Sequence, residues 1–124
     1  MALFAQPNDT KRDAVWLLGY DGEGPGADTS TYNGNTMCIF TENEVSMSIL
    51  HTPIRFMETC AGISDTTGKM LFYTNGAIII DSSYQIMQNS ENFNESSFTT
   101  YWEEAGWGLT LPQGALVLPM PKSS

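Results

Sequence analysis

The stretch AGISDTTGKMLFYTNGAIIID, residues 61–81, decides the fold, because two tight-turn signals cut it into three apolar runs. The first is Asp65-Thr66-Thr67-Gly68, with a side-chain acceptor at its first position and a glycine at its last, where positive φ costs little. The second is Asn75-Gly76, the strongest short hairpin signal, and it predicts a two-residue type I′ turn. Counting outward from it sets Tyr73 opposite Ile78, Phe72 opposite Ile79 and Leu71 opposite Ile80. A four-residue first loop sets Cys60, Ala61 and Gly62 opposite Tyr73, Phe72 and Leu71. Both faces of this three-strand meander are then apolar, so it calls for cover on both sides.

A small antiparallel sheet covered on both faces, with small residues on its first strand, is what a β-propeller blade needs; a strand of a small β-sandwich presents a similar pattern. The residues also carry a resemblance. Trp16-x-x-Gly19, Ile63-Ser64-Asp65-x-x-Gly68-x-Met70-Leu71-Phe72-Tyr73-Thr74-Asn75-Gly76, Met87 and Gln113-Gly114-Ala115-Leu116-Val117-Leu118-Pro119 occur in that order. In this the chain resembles the N-terminal propeller-like region of large proteins secreted by Gram-negative bacteria through the type IX system, many of which end in a sorting or gliding-motility-associated domain. The resemblance covers roughly Val15 to Lys122. It implies a secreted or cell-surface location and assigns no reaction.

Length and charge bound the remaining possibilities. A blade takes roughly 40–45 residues in a repeat such as WD40 and closed propellers take four to eight blades. The 124 residues therefore predict an all-β fold of antiparallel meanders, about two blades of a partial β-propeller, with a small β-sandwich as the alternative. Fourteen acidic residues against five basic ones leave a formal charge of −9. No basic cluster exceeds Lys11-Arg12, which argues against a nucleic-acid partner. No apolar run approaches the roughly eighteen residues of a membrane-spanning helix. Cys38 and Cys60 are two small buried hydrophobes or, in an oxidising compartment, a pair. His51, before Thr52-Pro53, has no local partner that makes it a base or a ligand. No cofactor or metal motif is present.

Residues 1–13 divide into MALFAQ, which resembles the end of a secretory signal or matches one by chance, and a polar arm. Residues 14–124 form the partial propeller. Ala14 to Gly19 reads as a strand with Trp16 as a core anchor. Tyr20 to Asn35 is a long glycine-rich loop whose Asp21-Gly22-Glu23-Gly24-Pro25-Gly26 opens like a calcium loop. The match then fails at Pro25 and at Tyr32, where a bidentate glutamate belongs. Thr36 to Thr41 and Glu44 to Leu50 form a hairpin whose second strand alternates Val45, Met47 and Ile49 with Ser46 and Ser48, as an edge strand with one wet face does. Thr52 to Phe56 leads into a strand running from Met57 to Ser64. Tyr84 to Gln88 is the outermost strand of the meander, Gln88 to Thr100 an extended connection, and Gln113 to Pro119 the innermost strand of a second blade.

Function rests on two alternatives. A propeller-type carbohydrate-active enzyme would draw two carboxylates from Glu58, Asp65, Asp81, Glu103 and Glu104, but nothing in the sequence selects a pair. A non-enzymatic scaffold or binding segment needs only a rigid β framework with polar loops, and this is the preferred expectation. Its candidate binding residues are Tyr101, Trp102, Glu103, Glu104 and Trp107, since flat rings beside carboxylates suit a sugar; the same aromatics would also pin a long loop to the sheet. Expected partners are the remaining blades of the same protein and a glycan or protein ligand.

Overall fold

In a computed structural model, residues 11–19, 35–90, 93–104 and 107–120 are described, those at 102–104 by backbone alone. Among the described residues two antiparallel three-stranded meanders make up the fold, which is all-β apart from one helix. The first sheet comprises β1 (Val15–Leu18), β2 (Asn35–Phe40) and β3 (Val45–Leu50) in that order. The second comprises β4 (Ala61–Ser64), β5 (Met70–Thr74) and β6 (Ile79–Asp81), followed by a single antiparallel bridge between Ile80 and Ile86. That bridge is all that forms of the outermost strand expected at Tyr84 to Gln88. The helix, α1, spans Ser97–Glu104. Most of the glycine-rich loop, residues 20–34, lies outside the described residues, as does MALFAQ.

Turn chemistry explains the second sheet. Asp65 Oδ1 accepts hydrogen bonds from the Thr67 and Lys69 amides at 2.8 and 3.0 Å, and Gly68 takes φ 92°. Asp81 repeats the device on the next turn but one, accepting from the Ser83 and Gln85 amides, with Tyr84 at φ 62° in the glycine's place. Between them Asn75 Oδ1 accepts from the Ala77 and Ile78 amides at 3.1 Å each, and Gly76 takes φ 87°. Asn75 itself is not at positive φ, so the two-residue type I′ turn does not form. Its side chain replaces the backbone closure, and the loop widens to four residues.

This moves the register by two. Tyr73 pairs with Ile80 and Phe72 with Asp81, while Gly62 pairs with Tyr73 and Ile63 with Phe72, with a shift between Ile63 and Ser64. An even slip leaves every side chain on its expected face. Small still meets large: a Cβ on Gly62 would lie 3.2 Å from that of Tyr73. The strand expected from Met57 shortens to Ala61–Ser64, because Thr59 is held instead by the returning chain, its Oγ1 donating to the Leu111 carbonyl at 2.6 Å.

The core lies between the sheets, and the connection at residues 52–56 fills it. Leu17 and Leu50 come from the first sheet, Met70, Tyr73 and Ile80 from the second, and Ile54 and Phe56 from the connection. Tyr73 is wholly buried, its ring 5.9 Å from that of Phe56 and its hydroxyl donating to Thr52 Oγ1 at 2.8 Å. Desolvation by this burial pushes its phenol pKa up. Two buried amides hold the connection from opposite sides: Asn35 Nδ2 donates to the Ile54 carbonyl at 2.9 Å, and Asn75 Nδ2 to the Arg55 carbonyl at 3.1 Å.

Removing the Asn35 amide leaves the buried Ile54 carbonyl without this donor, and removing that of Asn75 takes a donor from the part-buried Arg55 carbonyl; such losses cost about 1–3 kcal/mol. Asn75→Ala also undoes its turn and is expected to lose about 3 kcal/mol by urea unfolding, against about 2 for Asn35→Ala. Ser64→Ala should be neutral or slightly stabilising, since Ser64 Oγ is buried without a hydrogen-bond partner among the described residues. Losses below about 0.5 kcal/mol at both asparagines would contradict this packing.

Candidate binding surfaces

The expected extended connection after Gln88 is broken by α1, and the reason is local. Ser96 Oγ accepts from the Thr99 amide at 3.1 Å, Thr99 Oγ1 accepts from the Ser96 amide at 2.8 Å, and the Ser96 carbonyl receives the Thr100 amide. This is a reciprocal capping box with threonine where glutamate or glutamine is usual. The helix then sorts the candidate residues. Phe98 and Tyr101, one turn apart, are both exposed, Tyr101 by 66%. At roughly 100° per residue, position 102 continues that aromatic stripe, position 104 borders it, and position 103 lies about 160° away from position 101 around the axis. Positions 101 and 103 therefore lie on different faces of the helix. Trp107, half-buried, sits beyond the helix where the chain returns to the sheet. There the Leu109 amide donates to the Asn75 carbonyl and the Leu109 carbonyl accepts from the Thr59 amide.

Two of the other candidate carboxylates, Asp65 and Asp81, are committed to turns. Asp65 is held by its turn, and the Thr67 hydroxyl at 2.6 Å is the first cause of its lowered pKa. That is the reverse of a proton donor. Asp81 serves its own turn, and Glu58 is exposed. Among the described residues no group of three His, Cys, Asp or Glu side chains is placed to hold a metal ion, and no helix is long and apolar enough to cross a membrane.

The first sheet differs most from expectation. Trp16, read as a core anchor, is 55% exposed and lies 5.1 Å from the Phe40 ring. Along β3 the serine face is wet, but Val45, Met47 and Ile49 are exposed too, and only Leu50 is buried. The register explains this: Leu17, Met37, Asn35 and Leu50 face the core, so their alternates face outward. Pattern alone shows that a face is apolar, not which apolar face of a sheet is covered.

An open cleft of about 650 Å³ runs between β1, β4 and residues 115–119, with Arg12 and Asp13 at its border. Ala115, Leu116, Val117 and Pro119 line it, the strand expected at Gln113 to Pro119 does not form, and Leu116, Leu118 and Met120 are largely exposed. The two cysteines do not pair. Cys38 is buried in β2, while Cys60, exposed as a residue, turns its sulfur inward to donate to the Leu17 carbonyl at 3.1 Å. Desolvation pushes its thiol up to about 12. No family model matches the chain, and no curated protein or solved structure matches it.

At pH 8 a thiol with that pKa is ionised to about one part in ten thousand, so Cys60 should react with iodoacetamide far more slowly than free cysteine. The Cys38→Ser variant isolates this rate. Labelling as fast as that of a small thiol would show that the sulfur faces water.

Proposed function

We propose that the chain is a non-enzymatic scaffold or binding segment of a secreted or cell-surface bacterial protein, a partial propeller of the type IX secretion kind that its sequence resembles. The observation that carries this reading is the placement of β1 and β4, each the first strand of its meander. They lie side by side, the Ser64 amide donating to the Arg12 carbonyl at 2.8 Å, and residues 115–119 flank both across the cleft. Three inner segments around one opening suit neighbouring blades about an axis. The wet row Leu116, Leu118 and Met120 then marks where strands of the remaining blades would pair. The core shared by the two sheets also suits a small β-sandwich, which serves the same binding role.

In this reading the exposed rings of α1 are the contact surface for a glycan or a protein loop, with Tyr101 at its centre. Aromatic side chains bring large contact area at low entropic cost. The carboxylates committed to turns and the roughly 100° between positions 103 and 104 around the helix axis weigh against a hydrolytic pair.

A glycan array, paired with a panel of chromogenic glycosides, tests the proposal. The expected result is retention of glycans that Tyr101→Ala weakens at least about tenfold, with no turnover of any glycoside. Hydrolysis abolished by Glu104→Gln would replace the binding reading with the enzyme.

A further inference from the structure

The outer face of the first sheet carries Trp16 and Leu18 from β1, Thr36, Cys38 and Phe40 from β2, and Val45, Met47 and Ile49 from β3. It contains no charged residue, in a chain of formal charge −9. All its large side chains are exposed, Met47 by 74%, and Cys38 alone is buried. We propose that this face is a self-association surface, covered by the same face of a second copy to form a two-layer sandwich across a two-fold axis.

Area favours that occupant. The exposed parts of the six large apolar residues amount to on the order of 600 Å², so two such faces bury on the order of 1,200 Å², the lower end of stable interfaces. Symmetry makes the pairing self-complementary, since each apolar row meets its own copy. Electrostatics selects the orientation. Of the carboxylates beside the face, Glu42 and Glu44 lie at the β2–β3 turn and Asp13 stands at the same end of the sheet, lining one pocket with Trp16, Phe40 and Glu42. Lys11 Nζ stands 3.6 Å from Glu42 Oε1. With the axis across the strands, layers about 10 Å apart run in opposite directions, and the two acidic turns stand roughly a strand length, ~20 Å, apart. That exceeds the screening length of about 8 Å at physiological salt. The remaining long-range repulsion between two acidic copies must fall as salt rises.

The surface is separate from the row at 116–120 where the propeller reading places further strands, so its test can fail while that reading stands. Sedimentation equilibrium of the full chain is expected to show a monomer–dimer equilibrium that tightens between 0.05 and 0.5 M NaCl, on the order of the Debye-length change from above 10 Å to below 5 Å. Met47→Lys and Ile49→Lys should each weaken the dimer at least about 100-fold while far-ultraviolet circular dichroism is unchanged, because a lysine in the apolar row that meets its own copy sets two like charges against each other in the contact. Ser48→Lys, on the opposite face of β3, should leave it intact. A monomer at every concentration and salt, as expected if another sheet of the same protein takes this place, would overturn the proposal. So would equal weakening by Ser48→Lys and Met47→Lys, which points to pairing along the β3 edge.

Discussion

Two buried carboxamides hold the connection between the sheets, and the rest of the structure depends on them. Asn35 lies at the start of β2 and Asn75 in the β5–β6 loop, so each belongs to a different sheet, yet they bind the successive carbonyls of Ile54 and Arg55. A chain crossing an apolar interior without regular pairing exposes polar groups that must be satisfied. Here the two sheets supply the partners, and Ile54 and Phe56 become nearly inaccessible core residues as a consequence. The Asn75 loop is in turn roofed by the returning chain. Leu109 binds its carbonyl, and a Cβ on Gly76 would lie 2.6 Å from Leu109 Cδ1, so residues 107–111 close over the site where the sheets are joined.

Around that joint the same local device recurs. Asp65, Asn75 and Asp81 each spend a side-chain oxygen on amides two to four residues ahead, which fixes loops before the strands pair. Asp65, whose pKa the Thr67 hydroxyl lowers, and Asp81, which accepts two backbone amides, thus brace the turns of the second sheet. Exposed aromatic and aliphatic surface lies on α1 and on the first sheet.

Much of this was legible in the residues, and the misses have physical causes. The meander, its turns and the pairing of β2 with β3 follow from period-two patterning and turn chemistry, which act locally. The register moved by two because Asn75 closes its loop with a side chain, a choice set by the Arg55 carbonyl twenty residues away. Trp16 read as core because large rings are usually buried, whereas β1 turns Leu17 inward and Trp16 out. Helix α1 left a faint trace in Ser96 and Thr99, a capping box without its usual acid. Gln113 to Pro119 reads as a strand but finds no ladder partner among the described residues. Thr52–Phe56 looked like a mere link, since nothing local records that two distant asparagines will grip it.

Native-state hydrogen exchange is the most direct measurement of whether the gripped connection makes one cooperative unit of the two sheets. The account predicts that the slowest amides of β2 and of β5 open with a common free energy, and that both fall together when Asn35 is replaced by alanine. If β5 keeps its protection while β2 alone becomes fast, the sheets are independent units and the connection does not join them.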